Sequence, residues 1–187
     1  MRKLGGPLII AGAILGGSMI IATFAGAAGN SSSYAEDRAE IQNLQARYLF
    51  ALDWGDADTY AGTFAPDGVL DYAGGVEKGR KEIHDSIQKF HDDAMKASAK
   101  ANPGLRPSAR RHNITNMVIK IDGNHATGRA YWVEFNDNDP DRKAQLGAYG
   151  HYEDTMEKID GKWYFTSRKI LNEQLPERAA GPKNPAW

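Results

Sequence analysis

No cysteine occurs in the 187 residues. That excludes disulfides, thiolate metal sites and lipid attachment at a cysteine. An excess of basic residues is missing too: 23 Lys and Arg stand against 24 Asp and Glu. The chain therefore carries no electrostatic footprint for nucleic acid or for an anionic membrane surface. No Gly-rich loop follows a strand to cradle phosphate, and Gly74-Gly75 alone is only a turn. No serine nucleophile motif and no internal repeat is present. His84 and His91 stand seven apart, not at the i, i+4 spacing of a metal pair, and His125 sits beside a hairpin turn. Nothing in the chain argues for a metal or a cofactor.

Long apolar runs are absent except at the start. Arg2 and Lys3 form a basic n-region, Leu8 to Phe24 an apolar stretch rich in small residues, and Ala25-Gly26-Ala27 an A-x-A cleavage pattern, with Gly26-Ala27-Ala28 as a second register. This is the layout of a secretory signal over residues 1–28. The run is shorter and richer in glycine than a spanning helix of about 20 apolar residues. The expectation is export to a periplasm or the outside, with no stable membrane span after cleavage; an uncleaved N-terminal membrane anchor is the alternative. Cleavage removes two cations and no acid, so the net charge of −1 becomes −3. About 160 residues remain, enough for one adequate core. Asn30-Ser31-Ser32 and Asn113-Ile114-Thr115 match the glycosylation pattern and matter only in a host that glycosylates its secreted proteins.

After a spacer over 29–34, Tyr34 to Trp54 reads as a long helix whose apolar stripe is Ile41, Leu44, Tyr48 and Leu52. Gly55 marks its C-terminal end and Asp56 caps a short second helix to Ala65. Pro66-Asp67-Gly68 reads as a turn and Val69 to Tyr72 as a short strand. Gly79 to about Ala99 is a third helix, with Ile83, Ile87, Phe90 and Met95 on its apolar side. The pattern then switches to period two. Four strands are expected, over Arg111 to Ile121, Ala126 to Phe135, Leu146 to Ile159 and Trp163 to Leu171, with hairpin turns at Asp122-Gly123 and Asp160-Gly161. Residues 35–175 make one domain, and 176–187 form an irregular tail. The order α-α-β-α-β-β-β-β is α+β. A strongly bent sheet around the first helix would bury the stripe and leave a cavity at one end.

This order, with particular residues, resembles the SnoaL-like branch of the NTF2-like superfamily. The marks are Tyr48 to Asp56 at the end of the first helix, Phe64-Ala65-Pro66-Asp67-Gly68, Gly79 with Ile83, Arg111-His112-Asn113 with Asn116, and Asp160-Gly161-Lys162-Trp163 followed by Arg168. The resemblance implies a cone, with N-terminal helices packed in a strongly curved, mainly antiparallel sheet that encloses a pocket. It also implies a homodimer or homotrimer. The family hosts dehydratases, isomerases, cyclases, epoxide hydrolases and non-catalytic domains, so the fold leaves the activity open.

Asp53 lies at the C-terminal, partly negative end of its helix, where a carboxylate is disfavoured by about 0.3–1 kcal/mol. His112 opens a strand on which His112, Ile114, Asn116 and Val118 share a face by period two. The resemblance implies that Asp53 and His112 form an acid–base dyad, as in the family's dehydratases. In the bile-acid dehydratase members, tyrosines stand five residues before the dyad aspartate and on the strand after the second helix. Tyr48 and Tyr72 match those places and could polarise a ketone; each also has a plain reading as a core tyrosine. Asn116, Glu134, Trp132 and Trp54 are candidates for lining the pocket, with Phe90 and Phe165. Of His151, Tyr149 and Tyr152, one parity faces the pocket. Three readings follow. The first is a cofactor-free lyase or isomerase acting on a hydrophobic cyclic substrate. The second is an exported binding module with the same cone and no turnover. The third is an epoxide-opening hydrolase, ranked last because Arg111 points away from His112.

Overall fold

The computed structural model describes residues 33–186. The segment read as a secretory signal lies outside the described residues. Helix α1 runs over Tyr34–Trp54. Ser33 caps it, and Glu36 reaches back to the Ser33 N–H at 2.7 Å to complete a capping box. Gly55 ends α1 with φ at 68°. A Cβ on Gly55 would also run into the His91 ring, so only glycine lets the helix that carries His91 approach here. Helix α2 (Ala57–Gly62) is capped by Asp56, which accepts from the Thr59 N–H at 2.9 Å.

Strand β1 (Phe64–Tyr72) begins five residues earlier than the sequence pattern implies. Pro66-Asp67-Gly68 is not a turn. It is an irregularity inside β1, where the pairing register shifts between Phe64 and Val69. Gly74-Gly75 turns the chain into an additional short strand, β2 (Gly75–Lys78), paired antiparallel to β1. Helix α3 (Gly79–Ala101) follows. Its Ile83 and Ile87 are buried, whereas Phe90 and Met95 are largely exposed, so the apolar side expected along the whole helix serves the core only in its first half. Strands β3 (Arg110–Asp122), β4 (His125–Asn136), β5 (Gln145–Ile159) and β6 (Lys162–Asn172) complete the regular structure of the described residues. The observed order is thus α-α-β-β-α-β-β-β-β.

The strands form one mixed, curved, unclosed sheet in the order β2-β1-β6-β5-β4-β3. Only the β1–β6 pair is parallel. The concave face holds the core. Ile41, Leu44 and Tyr48 of α1 meet Tyr60, Phe64, Tyr152, Met156, Trp163 and Phe165 there, all at most 2 % exposed. Edge strand β3 buries Ile119 and leaves its other inward residues only partly covered. The segment after β6 is tied down by Arg178, which donates to the Asp71 carboxylate at 2.8 Å and to the Ile170 carbonyl at 2.8 Å. Among the described residues no helix is long and apolar enough to cross a membrane.

Candidate functional site

A cavity of about 210 Å³ lies between α1, α3 and the concave sheet face. Its walls are mainly apolar: Leu52, Leu70, Ile87, Phe90, Trp132 and Ile170. Polar groups reach them from Tyr48, Tyr60, Tyr72, Ser86, Arg110, His112, Glu134 and Asn172. An apolar cleft with a few convergent polar groups is what a small-molecule site requires.

Asp53 and His112 meet beside it, with His112 in the wall and Asp53 behind it. The carboxylate uses both oxygens on one partner. Oδ2 accepts from the His112 backbone N–H at 2.8 Å, and Oδ1 stands 2.5 Å from His112 Nδ1. The unfavourable placement at a helix C-terminus is thereby compensated by two hydrogen bonds from β3. With Nδ1 engaged, Nε2 is the ring nitrogen left for other partners. The imidazole is 12 % exposed and forms part of the cavity wall. Asp53 fixes the orientation of the ring, and Nε2 can take or return a proton.

Tyr48 is both a core residue and a wall residue: it is fully buried, and it lines the cavity. Its hydroxyl shares a 2.6 Å hydrogen bond with the hydroxyl of Tyr60. Two hydroxyls joined by one hydrogen bond use one proton between them, which leaves one O–H to donate elsewhere. Burial raises the pKa of both phenols. Tyr60 is pushed well above the ordinary value, while the charge of Arg168 pulls Tyr48 part of the way back. Both stay neutral donors through the physiological range. Tyr72 lines the cavity with its hydroxyl 2.7 Å from Ser86 Oγ. Trp132 lies in the wall with its indole N–H donated to the Leu171 carbonyl at 3.1 Å. Glu134 is also in the wall, beside Arg110.

Two expected wall residues lie elsewhere. Asn116 is exposed on a bulge, with φ at 51° and the β3–β4 register shifting between Thr115 and Val118. The bulge reverses the parity of β3, so Met117 and Ile119 turn inward after Ile114, and Val118 turns out. Trp54 is 65 % exposed and packs outside, under the Arg111 guanidinium at 4.6 Å. Phe165 is fully buried core rather than wall. On β5, Tyr152 faces the core, Tyr149 is exposed, and His151 is buried on the opposite face between Glu153 and Glu173.

Beneath the cavity lies a second charged group. Arg168 is fully buried and bonds both oxygens of Asp154, at 2.9 and 2.7 Å. Gln45 closes the set: it accepts from Arg168 and donates to Asp154 at 2.7 Å. The guanidinium carbon lies 4.0–4.1 Å from the ring centres of Tyr48, Tyr152 and Phe165. Burial would by itself loosen the proton of Arg168, but Asp154 outweighs it and the pKa is raised. Among the described residues no group of His, Asp and Glu is placed to hold a metal ion.

The sequence reading missed Tyr60 and Arg110. Arg110 has the same parity as His112 and could have been found by extending the period-two face backward. Tyr60 carried no such signal, because its role depends on where α2 packs.

A model of the SnoaL-like domain matches residues 33–169. No curated protein gives a significant match. Among solved structures, a variant of Rv3472, a protein of unknown function from Mycobacterium tuberculosis, is 26 % identical. That match covers 80 % of this chain and 83 % of the other, with a TM-score of 0.63. A Catenulispora acidiphila protein, solved in complex with S-DNPA, is 26 % identical, covering 75 % and 96 % with a TM-score of 0.61. ActVI-ORFA from Streptomyces coelicolor is 19 % identical over 75 % and 98 %, with a TM-score of 0.63, and its likeness is one of fold.

Proposed function

The chain belongs to the SnoaL-like domain family, and from that premise we propose that it is a cofactor-free lyase or isomerase that removes a proton from carbon on a hydrophobic cyclic substrate. The observation that carries this reading is the bidentate grip of Asp53 on His112, whose ring forms part of an apolar cavity wall. In the proposed step, His112 Nε2 takes a proton from a carbon next to a carbonyl. The C–H electron pair moves into the enolate, and the free O–H of the Tyr48–Tyr60 pair stabilises its oxygen by donating a hydrogen bond, the phenol keeping its proton. In an elimination, the enolate then expels a hydroxyl, which leaves as water with the proton from His112. In an isomerisation, His112 returns the proton at another carbon. The Catenulispora protein, solved in complex with S-DNPA, supports small-molecule binding as the cavity's use. An exported setting, inferred from residues 1–28, suits a site that needs nothing diffusible supplied to it.

Arg111 is held against Trp54 on the outside, so it does not supply the water-positioning arginine that an epoxide-opening site needs. A non-catalytic binding role differs in one measurable way. Deuterium incorporation into tetralone in deuterium oxide, followed by NMR, should exceed the buffer rate with the wild-type chain. It should fall by about 10²–10⁴-fold in His112→Gln and Asp53→Asn. Exchange no faster than in buffer, or equally fast in the variants, removes the enzymatic reading and leaves the binding one.

A further inference from the structure

Arg110 stands two residues before His112 on the same face of β3, about 7 Å away along the strand. Its side chain is one-third exposed, and its guanidinium lies over the Phe90 ring at 4.9 Å. The nearest carboxylate oxygen, on Glu134, is 3.8 Å away, outside hydrogen-bond reach. No side-chain hydrogen bond from this guanidinium occurs among the described residues, although it offers five donors in a planar fork. Arg168 forms the contrast, with its Nε and one Nη engaged by Asp154 and Gln45. Glu134 is itself engaged by Asn136, whose amide donates to it at 3.3 Å.

Position adds to this. Arg110 and Glu134 line the cavity, and both also line an adjoining, more open groove that includes Asn136, Asn138 and Gln174. The pair therefore stands at the threshold between an apolar interior and a polar exterior. A cation fixed over an aromatic ring at the mouth of an apolar cavity, with its donors unfilled, fits a planar anion bonded to two N–H groups at once.

We propose that Arg110 is the anchor for a carboxylate, so that the substrate is a cyclic carboxylic acid. Its rings fill the cavity beside His112, and its carboxylate sits at the threshold, a few bonds from the carbon that loses a proton. Glu134 neutralises Arg110 in the empty site and sets how strongly an acid must compete. The inference rests on the cavity being the small-molecule site proposed above, but not on turnover there.

Binding without turnover tests it. The probes are naphthalene and anthracene carboxylates, each paired with its neutral primary amide and titrated calorimetrically into the full chain. Each acid should bind about tenfold tighter than its amide, the scale of a charged hydrogen-bonded pair. Arg110→Gln should reduce that preference to less than about twofold, and Arg110→Lys should restore part of it, because a point charge replaces the fork. Glu134→Gln should tighten the acids and leave the amides unchanged, which keeps the test open if Arg110→Gln folds poorly. His112→Gln should retain the preference, so a failed enzymatic reading and a failed anchor give different results. Equal binding of acid and amide, no binding of any acid, or a preference that survives Arg110→Gln overturns the proposal.

Discussion

Two acid–base pairs lie on the concave side of one sheet, and they are built for opposite ends. Asp154 and Arg168 are closed on every side: both carboxylate oxygens meet the guanidinium, Gln45 bridges the pair, and three aromatic rings surround the charge. Asp53 and His112 are closed on one side only. The carboxylate is satisfied by β3, and the far nitrogen of the imidazole remains for the cavity. The difference teaches what separates a structural ion pair from a reactive one in the same fold. The buried pair spends both carboxylate oxygens internally and lines no part of the cavity, whereas the cavity pair keeps one ring nitrogen in reserve.

The largest effect comes from breaking the closed pair. Arg168→Met leaves the Asp154 carboxylate buried with Gln45 as its remaining partner, at a cost of about 3–5 kcal/mol. For a domain of this size that is a fall of about 10 °C or more in Tm, to be read by thermal unfolding. Replacing both partners together, as Asp154→Leu with Arg168→Met, should recover most of the loss, because no buried charge is then left without its partner. The cavity pair should behave in the reverse way. His112→Gln should change stability by no more than about 1 kcal/mol, and no double replacement at Asp53 and His112 should restore exchange activity. Equal stability losses at the two pairs would abolish the distinction.

A layer of tyrosines separates the pairs and sharpens the comparison through pH. Burial raises the pKa of Tyr60 and Tyr152 well above that of a free phenol, and raises Tyr48 less, against the pull of Arg168. A phenol with a raised folded pKa keeps its proton where the unfolded chain has already lost it. Its contribution to stability is therefore complete below about pH 10 and declines as the pH climbs from there through the folded value. Denaturant midpoints should be flat with respect to these groups up to about pH 10 and fall beyond it. Tyr60→Phe should cost about 1 kcal/mol at neutral pH through the lost Tyr48 hydrogen bond, and should make the alkaline decline shallower. An alkaline decline as steep in Tyr60→Phe as in the wild type would mean that Tyr60 titrates freely.

How much of this was legible in the sequence differs by element. The end of α1 was plain because a 3.6-residue stripe and a C-terminal glycine agree. The α+β class and the hairpins at Asp122-Gly123 and Asp160-Gly161 were equally plain, since turn chemistry and strand alternation coincide. The start of β1 was hidden because Pro66-Asp67-Gly68 has turn composition but serves as a break in strand register. Asn116 was misplaced for a related reason: alternation is a sound guide only until a bulge inserts a residue, and nothing in the residue types announces the one between Thr115 and Val118. Asp53 and His112 came from the resemblance rather than from spacing, since their contact joins a helix end to a strand 59 residues away. Tyr60 was hidden because its hydroxyl becomes notable only beside that of Tyr48.

Trp54 supplies the smallest and most local test. It follows Asp53 directly, and consecutive residues of a helix point about 100° apart. The carboxylate therefore turns toward β3 and the cavity, while the indole turns outward under Arg111. Trp54→Ala removes an exposed cation–π contact worth about 0.5–1 kcal/mol, and it should lower Tm by only a few degrees. If the reserve of the cavity pair depends only on its inner side, naphthoate affinity should stay at the wild-type value in Trp54→Ala and fall in Trp132→Ala, which opens the wall itself. A drop in affinity at Trp54 comparable to that at Trp132 would place the outer flank of Asp53 in the site after all, and the line drawn here between the reactive side and the structural side of that residue would have to move.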